Sequence, residues 1–410
     1  MKDTHINPVL RFPEFHENWK SVSLSEILDE HKIRNNNQEY LEVFSVAKEK
    51  GVVNQIEHLG RSYASENLSN YKVVFPNDIV YTKSPTADFP FGIIKQNKTD
   101  RIGVVSVLYA VFKPETNSIG SLIDIFFSSS TSTFNYLVPL VHIGAKNTMN
   151  IGNSDFLKGE KINIPTSSKE QEKIVGFFSE IEKRLSLLRE QKEKLQNYKL
   201  GVVQKLFKQK IRFKKSNNGE FPDWTEIPVS KILKRYSEPV QVDVNQTYRE
   251  LGIRSHGKGI FHKEEITGEK LGNKRVFWVK EDMLILNIVF AWERAVAKTS
   301  LNEVGLIASH RFPMYAPITN EVSIDFIYHF FLSPKGEYLL KLASPGGAGR
   351  NKTLGQNEFE KLKINMPNYD EQVKIAEFLS TLDNQISNIE GQIEQTTQWK
   401  KGLLQKMFCA

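Results

Sequence analysis

Two stretches of the chain place apolar residues at alternating spacings of three and four, the pattern of a coiled-coil helix. The first comprises Ile174, Phe178, Ile181, Leu185, Leu188, Leu195, Val202 and Leu206, and the second comprises Ile375, Leu379, Leu382, Ile386, Ile389, Ile393, Leu403 and Met407. Lys199 and Lys400 interrupt the two stripes at equivalent positions. Proline and polar residues precede each stripe, which makes Ser168 and Asp370 the predicted N-caps. We therefore predict two long helices, each roughly 57 Å in length.

The two helices belong to an internal repeat. Residues 170–207 align without a gap with residues 371–408, at an offset of 201 and with 14 identities in 38 positions. Upstream, WKSVSLSEIL at 19–28 matches WTEIPVSKIL at 224–233, and KINIP, ending at Pro165, matches KINMP, ending at Pro367. The chain is thus predicted to be a tandem duplication, because such ordered matches rarely arise by chance. Two duplicated helices most simply pair about a pseudo-twofold axis, antiparallel, with the globular domains at opposite ends of the helical rod.

The stretches between the helices contain short runs typical of β-strands, at 71–75, 79–82, 104–112, 276–279, 283–289 and 304–308, with helical stretches near 122–127 and 324–332. The predicted class is α+β, a duplicated mixed α/β domain followed each time by a long helix of an antiparallel coiled coil. We place the first domain at 1–165, its helix at 166–210, the linker and second domain at 211–367, and the second helix at 368–410.

Composition narrows the class of protein only slightly. Lys and Arg number 55 against 48 Asp and Glu, a formal net charge of +7 that weakly favours a polyanionic partner. The single cysteine, Cys409, excludes an internal disulfide and a zinc site built from cysteines. Since no apolar run has membrane-spanning length and the first residues do not resemble a secretory signal, we expect a cytoplasmic protein without a membrane partner.

Catalytic motifs are largely missing from the sequence. Residues 252–258 satisfy seven positions of a phosphate-binding loop, but Gly259 stands where magnesium coordination needs a hydroxyl. The sequence contains no H-E-x-x-H or G-x-S-x-G motif, and no Asn-Pro-Pro-Tyr or Asp-Pro-Pro-Tyr run of the kind an amino-methyltransferase uses. A catalytic role is therefore unsupported, and an NTPase built on residues 252–258 is a weak alternative.

Basic and polar clusters beside glycine and aromatic residues are the remaining candidates for chemistry. They are Lys48, Lys50, Lys83, Ser84, Lys146 and Asn147 in the first domain, and Arg254, His256, Lys258, Arg294, His310, Arg311, Arg350, Asn351 and Lys352 in the second. Arg and Lys pair with guanine, Asn with adenine, and all of them bind phosphate, so these loops suit DNA. For any single residue a solvated surface charge is the better interpretation, but recurrence in both domains strengthens the set.

The whole pattern resembles the specificity subunit of type I restriction-modification enzymes. The resemblance rests first on the two variable domains and on the paired helices, which follow KINIP or KINMP and begin with EQ-x-KI. It rests also on the Phe-Pro motifs at the start of each half, at 12–13 and 221–224, and on the GIRSHGKGIF segment at 252–261. It implies that each variable domain is a target-recognition domain for one half of a split sequence in double-stranded DNA. It also implies that the helices set the spacing of the half-sites and dock two methyltransferase subunits.

The resemblance further implies a non-catalytic subunit without a cofactor of its own. S-adenosylmethionine, ATP and magnesium would belong to the methyltransferase and the restriction and translocase subunits. Two alternatives stay open, which are the recognition subunit of a related system that cuts on both sides of its site and a coiled-coil scaffold without a DNA role.

Overall fold

The chain divides into two compact units in a computed structural model, which describes residues 7–143, 149–346 and 352–408. Unit 1 comprises Met1–Arg189 and Gly391–Ala410, and unit 2 comprises Glu190–Glu390. Each unit therefore combines one globular domain with part of both long helices.

Unit 1 is a mixed domain of short strands and helices. Its strands are β1 (Lys20–Val22), β2 (Leu28–Glu30), β3 (Phe44–Ala47), β4 (Gly51–Asn54), β5 (Lys72–Val74), β6 (Ile79–Thr82), β7 (Ile93–Gln96), β8 (Gly103–Val105), β9 (Ala110–Pro114), β10 (His142–Ile143), β11 (Met149–Asn150) and β12 (Ile162–Ile164). Its helices are α1 (Gln55–Leu59), α2 (Asn117–Phe126), α3 (Ser130–Leu137), α4 (Asn153–Leu157) and the first half of α5 (Ser168–Phe207).

Unit 2 has a similar set of elements. Its strands are β13 (Thr225–Pro228), β14 (Leu233–Tyr236), β15 (Thr247–Ile253), β16 (Ile260–Thr267), β17 (Val276–Trp278), β18 (Leu284–Leu286), β19 (Val296–Lys298), β20 (Ile307–Ser309), β21 (Met314–Pro317) and β22 (Lys363–Met366). Its helices are α6 (Gly268–Leu271), α7 (Ile324–Leu332), α8 (Pro334–Leu342), α9 (Gln356–Lys361) and the first half of α10 (Tyr369–Phe408).

The sheets of the two domains have the same topology. The antiparallel sheet β2-β9-β6-β7 of unit 1 corresponds to β14-β21-β18-β19 of unit 2. A second layer, β16-β15-β20-β17 in unit 2, corresponds to the pairs β3-β4 and β5-β8, which a parallel bridge from Val43 to Val104 connects. The antiparallel pairs β1-β12 and β13-β22 close the two domains next to their helices. The predicted duplication and α+β class are confirmed at the level of strand order.

Within each unit the two long helices run antiparallel. In unit 1, the start of α5 and the end of α10 share a buried cluster that includes Ile174, Phe178, Leu404 and Met407. The cluster of unit 2 contains Leu206 and Phe207 from the end of α5, and Ile375 and Leu379 from the start of α10. The lysines that interrupt the stripes form equivalent ion pairs, Lys400 with Glu182 and Lys199 with Asp383. A polar pair within an apolar seam favours one register of the two helices.

A buried carboxylate ties each domain to the first turn of its helix. Glu371 is fully buried at the start of α10 and accepts hydrogen bonds from Arg212 Nε at 3.1 Å, Arg212 Nη2 at 2.8 Å and Trp224 Nε1 at 3.1 Å. The equivalent group in unit 1 comprises Glu170, Arg11 and Trp19. These hydrogen bonds raise the pKa of Arg212 above its ordinary value. The repeated Glu and Trp in the sequence thus have a structural cause.

His329 of α7 is buried against α10. Its side chain is 3% exposed, its Nε2 lies 3.1 Å from Ser380 Oγ, and its Nδ1 lies 3.9 Å from Asp383. Burial lowers the pKa of His329 to about 4, Lys199 and Lys298 act in the same direction, and Asp383 opposes them. Counted from the N-cap residues Thr116 and Ser323, the equivalent residue of α2 is Leu122.

We expect acid to destabilise unit 2 through His329. The unfolded chain binds this proton near pH 6.5 and the folded chain only near pH 4, so the contribution is complete above pH 6.5 and disappears as the pH falls to about 4. The full loss is about 3 kcal/mol at most. The free energy of unfolding, measured in urea between pH 7 and pH 4, should decline less steeply for His329→Leu than for the wild type. The exposed His16→Gln should keep the wild-type slope, and equal slopes for all three proteins would contradict the assignment.

The structure differs from the sequence predictions at several element ends. The run at 104–112 is two strands, β8 and β9, separated by a turn in which Tyr109 N donates to Ser106 O at 3.0 Å. Strand β18 ends at Leu286, before the predicted end at 289, and β20 starts at Ile307, after the predicted start at 304. Helix α2 begins at Asn117, before the predicted helical stretch at 122–127. Ser168 and Asp370 lie inside their helices, so both predicted caps are wrong. Asn368 caps α10 instead, because its Oδ1 accepts from Glu371 N at 3.1 Å.

Candidate nucleic-acid interface

The segment that resembled a phosphate-binding loop is the tip of the β15-β16 hairpin. His256, Gly257 and Gly259 have φ angles of 61°, 67° and 74°, in the left-handed region where glycine is favoured. A phosphate-binding loop leads from a strand into a helix, whereas this loop leads into strand β16. The NTPase alternative therefore loses its structural basis. The side chains of Arg254, His256 and Lys258 are exposed at this tip.

A central loop at residues 287–294 connects the basic clusters of unit 2. The hairpin tip docks onto it through two hydrogen bonds, from His256 N to Glu293 O at 2.7 Å and from Gly257 N to Arg294 O at 3.0 Å. Ile288 N donates to Arg311 O at 3.0 Å, which brings the exposed turn of His310 and Arg311 to the same loop.

The segment before α9 also reaches the central loop. Leu354 N donates to Ile288 O at 2.8 Å, and Lys352 Nζ lies 5.4 Å from the ring centre of Trp292, a cation–π distance. Three basic clusters that are separated in the sequence thus contact one loop, which itself carries Arg294.

Arg294 has a different environment from the other basic residues of the set. It is half-buried with φ at 60°, its Nε lies 3.3 Å from Glu337 Oε2, and its Nη1 donates to Leu332 O at 3.5 Å. The side chain is therefore directed toward α7 and α8. It supports the central loop, and no sequence signal identified Glu337 or Leu332 as its partners.

In unit 1 a hairpin tip with basic residues also lies beside the loop that follows a sheet strand, but fewer of the basic side chains lack a partner. The tip of the β3-β4 hairpin presents Lys48 and Lys50, and Lys48 Nζ lies 2.5 Å from Asp88 Oδ2. Lys83 follows β6 and is half-buried, with Nζ donating to Ile151 O at 2.5 Å. Burial lowers the pKa of Lys83, an effect that Glu30 and Asp155 oppose. Ser84, next in the chain, is exposed.

Four predicted site residues lie outside the described residues, namely Lys146, Asn147, Arg350 and Asn351. Among the described residues, no three side chains of His, Cys, Asp or Glu are placed to hold a metal ion. A search of the same residues for a helix with the length and apolar character of a membrane span finds none.

Comparison with known proteins identifies relatives by sequence. Residues 205–398 match the family described as type I restriction modification DNA specificity domain. The MjaVIII type I restriction enzyme specificity subunit of Methanocaldococcus jannaschii is 27% identical over 214 residues, covering 50% of this chain and 47% of the relative. The putative MjaX specificity subunit of the same organism is 25% identical over 267 residues, covering 62% and 59%. The matches thus span about half the length of each curated relative.

Two solved structures share the fold. The type I restriction-modification S subunit from M. genitalium superposes with a TM-score of 0.60 at 14% identity, over 99% of this chain and 100% of that one. A chain from a structure on complex assembly and conformational transition of the type I R-M system gives 0.51 at 11% identity, over 95% and 97%. At these identities the likeness concerns the fold of the chain.

Proposed function

We propose, from the premise that residues 205–398 belong to the family of type I restriction-modification DNA specificity domains, that this chain is the DNA-recognition subunit of such a system. The observation behind the proposal is the recurrence of one arrangement in two domains of equal topology. In each domain a hairpin tip bearing basic residues contacts the loop that follows the central strand, β6 or β18. Each domain would read one half of a bipartite target in double-stranded DNA.

The exposed basic side chains suit contacts with both bases and phosphates. Arg254, Lys258 and Arg311 extend from loops on a rigid sheet, and such loops position side chains at a groove or along the backbone. Arginine in particular pairs with guanine through two hydrogen bonds. Lys352, held over the Trp292 ring, would act as a phosphate contact at the same face.

The chemistry of restriction and modification would belong to partner subunits. Two methyltransferase subunits would dock on the long helices and use S-adenosylmethionine, and restriction and translocase subunits would use ATP and magnesium. This chain would contribute recognition without catalysis or a cofactor, in the cytoplasm. The recognition subunit of a related system that cuts on both sides of its site would share these features.

The DNA-binding role is tested with a duplex of mixed sequence. Full-length protein should bind it with an affinity that falls as salt rises, because neutralised phosphates release counterions. Changing Arg254, Lys258 and Arg311 together to Ala should reduce the slope of log affinity against log salt by about 1 for each phosphate that the protein no longer neutralises. Lys363→Ala, which removes an exposed lysine paired with Glu226 at 3.5 Å, serves as the control and should change little. No duplex binding by the wild type at low salt would favour the scaffold alternative.

A further inference from the structure

Arg275 lies next to His310 at the end of the β17-β20 ladder. Val276 pairs with Ser309, and His310 N donates to Arg275 O at 3.2 Å, so Arg275 and His310 are opposite each other across the two strands. Directly opposed residues of an antiparallel pair direct their side chains to the same face. Both side chains are exposed.

Arg235 lies at the rim of a depression that His310 also lines, on a strand of the other sheet. It lies on β14, opposite Tyr315 of β21, and its side chain is exposed. Arg235 and His310 line one shallow depression, whose walls include Phe277 and Phe312. Arg275 and His310 thus extend the basic surface away from the central loop, with Arg311 between them and the loop, and Arg235 adds a charge at the rim of the depression.

None of these basic side chains is neutralised by a carboxylate of the described residues. Within the described part of the chain, Arg235, Arg275, His310 and Arg311 form no ion pair. Elsewhere on the same domain Arg249 lies 3.0 Å from Glu265, and Lys274 lies 2.5 Å from Glu250. Unneutralised charges on one face produce a positive potential that attracts an anion.

The first domain lacks this feature at the equivalent positions. The strand registers align β2 with β14, β5 with β17 and β8 with β20. The equivalents of Arg235, Arg275, His310 and Arg311 are then Glu30, Tyr71, Ser106 and Val107. Of the first-domain candidates, Lys48 is paired with Asp88 and Lys83 is directed to Ile151 O.

We propose that Arg235, Arg275, His310 and Arg311 form a phosphate-binding strip for the backbone of duplex DNA. The strip continues the contact surface of the central loop, so unit 2 contributes more of the salt-dependent DNA affinity than unit 1. The inference rests on the proposed DNA-recognition function. It adds Arg235 and Arg275, which stand apart from the basic clusters in the sequence.

The test measures binding of the full-length chain to a mixed-sequence duplex by fluorescence anisotropy across a potassium chloride series. The double variant Arg235→Gln, Arg275→Gln should lower the slope of log affinity against log salt by close to 2, at about 0.9 for each neutralised phosphate. The control Arg249→Gln, Lys363→Gln removes the same charge from ion-paired sites of unit 2 and should keep the wild-type slope. Lys48→Gln, Lys50→Gln in unit 1 should lower the slope by less than about 1.

The possible outcomes distinguish failure of this inference from failure of the proposed function on which it rests. A wild-type slope in the Arg235→Gln, Arg275→Gln protein, with its circular dichroism unchanged, would overturn the strip while DNA recognition stands. An equal loss in the ion-paired control would also overturn it, because the effect would then follow net charge alone. Absence of duplex binding by the wild type even at low salt would remove the proposed function and the strip together.

Discussion

Glu371→Ala should destabilise the protein by about 3–5 kcal/mol, the usual cost of removing one partner from a buried ion pair. The carboxylate is fully buried and accepts from both Arg212 and Trp224. Without it, the Arg212 guanidinium keeps only its carbonyl partners Phe221 O and Pro222 O and an outer interaction with Asp223 at 3.5 Å. The link between the linker, β13 and the first turn of α10 would then be broken. Urea unfolding, followed by circular dichroism and tryptophan fluorescence, measures the change.

The internal repeat and the helix itself offer matched controls. Glu170→Ala should have a similar effect in unit 1, because Arg11 and Trp19 surround that carboxylate in the same way. Glu377→Ala removes an exposed carboxylate from the same helix and should stay within about 0.5 kcal/mol of wild type. A destabilisation below about 1 kcal/mol for Glu371→Ala would mean that water replaces the carboxylate at little cost.

The large-scale organisation could be predicted from the sequence because it depends on repeated patterns. The offset of 201 between the helices indicated two long elements of the same kind, and the stripes indicated the faces that Phe178 and Leu379 bury. Element ends were less predictable. The β8-β9 turn lies within a stretch that is apolar except for Ser106, so hydrophobicity alone gives little sign that the strand is interrupted there.

The candidate site could be predicted only in part, since charge in a sequence does not specify direction. Arg294 looked like its neighbours but is directed toward Glu337, and Lys83 is half-buried against Ile151. Arg275 lies next to His310 only through strand pairing, and Arg235 lines a depression with His310 from another sheet. Both arginines stand outside the predicted clusters in the sequence. Only the three-dimensional neighbours of each basic residue show whether its side chain stabilises a loop or is available to bind an anion.

On the proposed function, exchanging residues Thr225–Met366 for the corresponding domain of a type I specificity subunit should change one half of the bound DNA sequence and leave the other unchanged. The two ends of this segment are adjacent, because β13 and β22 pair with Thr225 opposite Met366. A graft at these points therefore joins the backbone at one place in the fold. It also leaves Arg212, Trp224 and Glu371 in place outside the exchanged segment.

Selection from a library of random duplexes, followed by sequencing of the bound DNA, determines the outcome of the exchange. The reciprocal exchange of Lys20–Ile164, the ends that β1 and β12 pair, should change the other half. If either chimera altered both halves, each domain would contribute to the whole target and the division into two recognition domains would be wrong. If neither altered the bound sequence, recognition would lie outside the two sheets, in which case the equivalence of their loops would have another cause. The expected result follows because base contacts come from loops that the exchanged segment contains, whereas its connections to the helices contain none of the predicted reading residues.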